Sequence, residues 1–242
     1  IYQHRDSLKL DPESKRLVEY YYQKFELAGA NLSDTDKEKL KKFNADEASL
    51  SAKFNNKLLA AAKAGALVIS NKAELAGLPQ GTIDAAAQDA KAAKQDGKWL
   101  IPLQNTTQQP ALQSLSDRAV RQKLFEASWT RAEKNDTNDT RSTIAQIARI
   151  RAQKARLLGF KSYAAWKLMD QMAKTPEAVN QFLAKLVPAA TAKARAEAAD
   201  IQAVIDQQKG GFKLQPWDWN FYAEQVRKAK FDMDEDEIKP YL

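Results

Sequence analysis

Between Asp34 and Ala64 the chain contains neither glycine nor proline, and alanine, lysine, leucine, glutamate and asparagine fill most positions. Helices are interrupted where the backbone is strained or lacks an amide, so so long a run without either breaker predicts one long helix. Ser33 precedes it as a cap with Asp36 three residues on, and Gly65 closes it. Within it Leu40, Phe43, Leu50, Phe54, Leu58 and Ala61 recur at threes and fours, the stripe that a packed helix buries. The same signals recur elsewhere. Asp11 and Pro12 open a helix that stops at Gly29, with Leu17, Tyr21, Phe25 and Ala28 on one face. Thr175 and Pro176 open the longest element, which reaches about Lys209 before Gly210 and Gly211. Its stripe is Val179, Phe182, Leu183, Leu186, Ala190, Ile201, Val204 and Ile205, and Pro188 inside it is expected to kink or split it.

The middle of the chain differs. ALVIS (66–70) and KWLIPLQN (98–105) are short runs rich in β-branched and aromatic residues, separated by an Ala-rich helical stretch, TIDAAAQDAKAAK. They predict a small two-stranded ribbon flanking a helical excursion, with Pro102 arguing for an edge strand or an early end of the second run. Helices resume after Ser116, read as a cap, and the polar NDTNDT (135–140) breaks them. Further helices follow to Gly159, from Ser162, and from about Asp218 to Lys230, with a last turn from Asp234. The fold class is therefore mainly α, several helices with one small two-stranded β element.

Chemistry is harder to find. There is no cysteine, which excludes disulfides, thiolate metal sites and a cysteine nucleophile. His4 is the single histidine, so neither an ordinary zinc site nor a helical His-Glu-x-x-His motif can be built, and His4 reads as a surface residue. No glycine-rich phosphate loop occurs. The acidic DMDEDE (232–237) lacks the glycine and terminal glutamate of a calcium loop and reads as a helix cap. Lys and Arg total 38 against 31 acids, a formal charge of +7, but the signs alternate along the chain as on a solvated helical surface. The basic run ARIRAQKAR (148–156) spreads its charge over several helix faces, which argues against a nucleic-acid partner. No apolar run reaches the roughly 18–20 residues that span a bilayer, and IYQHRDSLKL has neither an initiator Met nor an apolar signal core. The expected compartment is the cytoplasm, with no membrane partner.

A dense aromatic cluster lies near the end, in QPWDWNFYAEQVRKAKFDMDEDEIKPYL. Trp217, Trp219, Phe221 and Tyr222 surround one carboxylate, Asp218. At helical spacing these rings point in more than one direction, so the segment is either wedged between packed surfaces or has one face in a cleft. Core packing is the plain reading. At least one of Trp217, Trp219 and Tyr222 is expected to be only partly covered.

Two stretches carry a resemblance. LLGFKSYAAWKLMDQMAKTPEAVNQFL and the QPWDWNFYAEQ segment with its continuation resemble the thimet-oligopeptidase-like zinc metallopeptidases, and within them the bacterial peptidyl-dipeptidases. SLSDRAVRQKLFEASWTRAEKNDTNDT is similar to the start of that family's peptidase region, and FELAGANLSDTDKEKLKKFNADEASLSAKF to its N-terminal helical region. The resemblance covers essentially the whole chain. It implies a neurolysin-like, mainly helical fold of two lobes around a narrow channel that admits short peptides. It also implies release of C-terminal dipeptides by a zinc ion held by the histidines of a His-Glu-x-x-His helix and a downstream glutamate. None of those residues has a counterpart in this sequence. On this reading residues 1–110 are an N-terminal helical region with the β ribbon, and 111–242 the first part of a peptidase domain cut before the zinc motif. The chain is then expected to be a fragment with no catalytic residue and no metal of its own, partnered by short peptides and by the missing C-terminal portion. Trp217, Trp219 and Tyr222 are its candidate channel-lining residues. The alternative is a self-contained helical module that binds a protein or peptide without catalysis.

Overall fold

The structure is a computed structural model that describes residues 1–231. In chain order it comprises α1 (Pro12–Leu27), α2 (Asp34–Ala64), β1 (Leu67–Ile69), α3 (Gln80–Ala92), β2 (Trp99–Ile101), α4 (Asn105–Ser114), α5 (Arg118–Trp129), α6 (Arg141–Leu157), α7 (Tyr163–Leu168), α8 (Pro176–Gln207) and α9 (Trp219–Phe231). Short 3₁₀ turns lie at Tyr2–His4, Lys72–Leu75 and Pro216–Asp218. Among these residues the fold is mainly α with a single two-stranded element, as expected. The chain packs as two compact units, one of residues 1–55 and 141–184, the other of residues 56–140 and 185 onward. Each draws on chain from both sides of residue 110.

In the first unit, Asp11 accepts from the Ser14 amide at 2.9 Å with Pro12 at the first helical position, and Ser33 accepts from the Asp36 amide at 3.2 Å. Both start signals act as anticipated. Leu17, Tyr21 and Phe25 share a face but remain exposed, and α1 buries no residue. Burial concentrates instead at Leu40 of α2, Thr143 and Ala155 of α6 and Trp166 of α7. The Trp166 indole donates to the Leu27 carbonyl at 3.1 Å and so satisfies an orphan acceptor at the end of α1. Glu47 of α2 receives Arg151 at 2.7 Å and Lys154 at 2.6 Å from α6. Burial alone would raise the Glu47 carboxyl, but these two cations outweigh it and hold it below the usual range.

In the second unit β1 and β2 pair antiparallel, with Leu67 opposite Ile101 and Ile69 opposite Trp99. Their inner residues join Leu75, Leu78, Leu103, Leu112, Leu115, Val120 and Leu124 in one buried cluster. Gly77 makes the corner beneath it. Its φ is +94°, and a β-carbon there would lie 2.1 Å from the Ser114 carbonyl oxygen. The cap of α5 differs from expectation. Asp117, not Ser116, accepts from Ala119 and Val120, while the Ser116 amide is spent on the Ala76 carbonyl at 2.8 Å. Helix α4 was not foreseen, and Pro110 sits inside it in a polar stretch. A proline there deletes one ladder bond, and burial of Gln108, Ala111 and Leu112 compensates.

Of the kink or split expected at Pro188, the split does not occur: α8 runs through it as one helix. Ile201 and Ile205 are buried with Tyr222 of α9, but Phe182, Leu183, Leu186 and Val187 are exposed. Periodicity reports which face is apolar, not what covers it. The acidic run 232–237 and the turn from Asp234 lie outside the described residues.

Candidate functional site

The site begins with a proline and a carboxylate. Gln215 is extended, Pro216 fixes the next φ, and the chain enters a 3₁₀ turn in which the Asp218 carboxylate accepts the Gln215 amide at 3.2 Å. Asp218 is completely buried. Arg118 grips it with two parallel bonds, Nε to Oδ1 and Nη2 to Oδ2, both 2.9 Å, and Arg121 adds Nη2 to Oδ1 at 3.3 Å. The two arginines are three apart on α5 and so share a face. Arg121 is 1% exposed and also donates to the Leu115 and Ser116 carbonyls.

Two guanidinium groups against one carboxylate leave excess positive charge, and the aromatic rings answer it. Arg118 lies 3.9 Å from the Phe212 ring centre, and Arg121 lies 4.1 Å from that of Phe221. The aromatics around Asp218 thus help solvate an ion triad in which Asp218 and Arg121 are buried and Arg118 is partly exposed. Sequence reading missed both arginines. The available signal was Arg121 itself, an arginine at helical spacing among Val120, Leu124 and Phe125.

The expected partial exposure holds: Trp217 and Trp219 are half-buried and Tyr222 is buried. Trp217 belongs to the 3₁₀ turn, so helical spacing does not govern it, and its ring meets the edge of Phe125 at 6.4 Å. Tyr222 packs with Ile201 and Ile205. Trp219 alone of the three lines a cleft of about 740 Å³ between α4, α5 and the start of α9. Leu112, Phe125, Trp129, Leu214 and Pro216 complete its apolar lining, and Gln108, Gln109, Ser128, Gln215 and Asn220 its polar lining. Among the described residues no charged side chain lines it. Phe125 and Trp129 stack at 5.5 Å with 12° between planes, and Trp129 is 75% exposed. Gln108 is 7% exposed, and its side-chain carbonyl oxygen is buried without a hydrogen-bond partner among the described residues.

Among the described residues no group of three or more histidines, aspartates or glutamates is arranged to hold a metal ion, and His4 is exposed. These residues do not fit a zinc site. Within the basic run 148–156, Arg151 and Lys154 are committed to Glu47 rather than presented together to solvent. No helix of the described residues is long and apolar enough to cross a membrane.

Residues 111–242 match the model of peptidase family M3. The chain is 59% identical over its whole length to a dipeptidyl carboxypeptidase of Escherichia coli K12 and 51% identical to one of Salmonella typhimurium, covering 36% of each. It is 32% identical over 241 residues to a probable cytosolic oligopeptidase A of Arabidopsis thaliana, covering 34% of that protein. The chain therefore spans about a third of the length of the curated relatives it matches.

Proposed function

Because the chain belongs to peptidase family M3, we propose that it is a portion of a zinc-dependent peptidyl-dipeptidase that releases C-terminal dipeptides from short peptides. The observation that carries this reading is 59% identity to a dipeptidyl carboxypeptidase with no part of the chain left unmatched. Residues 1–110 act as the N-terminal helical region and 111–242 as the first part of the peptidase domain. Zinc, where bound, would polarise the scissile carbonyl and activate water, and its ligands belong to polypeptide other than these residues. What this chain contributes is scaffold and channel wall. The Asp218 triad fixes the turn before α9, and that turn sets Trp217, Trp219 and Tyr222, with Trp219 facing the cleft. The partners are short peptides and the C-terminal portion of the same protein, the compartment is the cytoplasm, and neither nucleic acid nor membrane is engaged.

A chimera tests this. The chain replaces the corresponding span of the E. coli dipeptidyl carboxypeptidase, and dipeptide release from a short peptide is followed with and without zinc. Zinc-dependent release is expected, and a folded, zinc-loaded chimera without it would overturn the reading. The second reading, a self-contained helical module, draws on the closed core around Leu75, Leu115 and Leu124. It requires the chain to unfold in one cooperative step and to show no affinity for the remainder of the relative.

A further inference from the structure

Helix α8 carries one apolar face with two fates. At about 100° per residue, positions about five turns apart fall on the same side, so Leu183, Leu186 and Val187 share a face with Ile201, Val204 and Ile205. The downstream three belong to the cluster that α9 covers, with Ile201 and Ile205 buried. The upstream three are about half exposed, and Phe182 beside them is 61% exposed. From residue 181 to 197 every position of the helix is exposed. A stretch of that length gains little stability from its own ladder and draws on packing. Pro188 deletes a ladder bond there without the burial that compensates Pro110 in α4.

We infer that the face of Phe182, Leu183, Leu186 and Val187 is the docking site of an amphipathic helix with acidic borders, supplied by the polypeptide that completes a family M3 peptidase. The inference rests on the reading that the chain is a portion of such a peptidase, and it covers 36% of its dipeptidyl carboxypeptidase relative. Continuity carries the helical shape of the partner. Helix α9 already packs on this face downstream, and a ridge of apolar side chains at helical spacing takes a second helix in the same way. Charge sets the borders. Between Glu177 and Glu197 the helix holds Lys185, Lys193 and Arg195 and no acid. By helical spacing Lys185 falls beyond the Phe182 side of the face and Arg195 beyond the Val187 side. Two copies of the chain pairing through this face would set like charges against each other, which disfavours a second copy as the occupant. A helix tethered in the same polypeptide also arrives at a high effective concentration.

The chain has no cysteine, so a single introduced thiol reports cover. By the same spacing Ala190→Cys lies near the centre of the face and Ala192→Cys on the opposite side, and both positions are exposed. Maleimide labelling is timed in the chain and in the E. coli chimera, with the chimera lacking an introduced thiol as background and circular dichroism confirming the fold. Ala190→Cys is expected to label at least about tenfold more slowly in the chimera than in the chain, and Ala192→Cys to change by less than about threefold. Leu186→Asp should restore fast labelling of Ala190→Cys in the chimera. Lys185→Glu with Arg195→Glu should speed it about threefold. Equal labelling of Ala190→Cys in chain and chimera, or equal protection of both thiols, would overturn the proposal. An unchanged rate after the charge reversal would overturn the acidic borders. Protection in the isolated chain that grows with its concentration would make the face an interface between copies. Protection by vesicles of phosphatidylglycerol and phosphatidylcholine would make it a lipid-facing surface, and either result defeats the inference. A chimera that protects Ala190→Cys yet releases no dipeptide defeats only the peptidase reading, and an active chimera that leaves it unprotected defeats this inference alone.

Discussion

Arg118 and Asp218, one hundred residues apart in sequence, meet through two parallel hydrogen bonds of 2.9 Å. A fork-to-fork pair of this kind fixes both distance and plane, so it ties the first turn of α5 to the turn that launches α9. Its worth lies in geometry as much as in stability, since a buried ion pair gains little over well-packed apolar groups.

Breaking it from one side should nonetheless be severe. Asp218→Asn leaves Arg121 buried without its counter-charge, and a destabilisation of about 3–5 kcal/mol is expected. Urea denaturation followed by circular dichroism measures it, and a loss below about 1 kcal/mol would remove the triad from the fold's supports.

Arg118→Lys tests the fork itself. A lysine keeps the charge but can make only one of the two bonds to Asp218, so the loss should be smaller than for Asp218→Asn, about 1–2 kcal/mol. No loss in Arg118→Lys would mean that charge alone matters, and a loss equal to that of Asp218→Asn would mean that the fork counts as much as the charge.

Acid should loosen the first unit through Glu47. Burial pushes its carboxyl up, and Arg151 and Lys154 together pull it below its ordinary value of 4.5. A carboxyl with a depressed folded-state pKa contributes stability that is present above its unfolded pKa and is lost as pH falls through the folded one. The difference in melting temperature between the wild type and Glu47→Gln should therefore be largest near neutrality and shrink below about pH 4.5. A difference that stays constant down to pH 3 would contradict the assignment.

Gly77→Ala should be among the most damaging single-methyl additions. A φ of +94° disfavours any side chain, and the new carbon would meet the Ser114 carbonyl oxygen at 2.1 Å. The expected cost is about 2–4 kcal/mol, read from the denaturant midpoint. Near-wild-type stability would show that the corner can relax.

Purified chain supplied with zinc and a short peptide should release no dipeptide, at any zinc concentration that leaves it soluble. Metal-dependent release by the chain alone would contradict the placing of the zinc ligands outside it.

The helices were legible because their determinants are local. Asp11, Ser33, Ser162 and Thr175 each cap the helix they precede, and Gly29 and Gly159 take the left-handed conformation just beyond helix ends. Backbone sterics and a hydroxyl or carboxylate within three residues suffice to decide such boundaries. The β pair was legible for the same reason, since Val68, Ile69, Trp99 and Ile101 fit little else between polar turns. The misreadings came where neighbours far along the chain intervene. Ser116 is tied by its amide to the Ala76 carbonyl while Asp117 caps α5, and α4 tolerates Pro110 because its other face is buried.

The same division runs through the site. Sequence alone established that this chain is helical, that it holds one histidine and no metal motif, and that aromatic rings crowd a single carboxylate at Asp218. It carried the family resemblance as well. Tertiary structure decided that Arg118 and Arg121 neutralise that carboxylate, that Tyr222 is core while Trp219 faces a cleft, and that Trp129 stands open beside it. Those outcomes depend on pairs separated by up to a hundred residues, and neither propensity nor periodicity encodes which distant partner arrives. Burial of charge does: an ion stripped of water must find its counter-ion, and the fold supplies the place where it can.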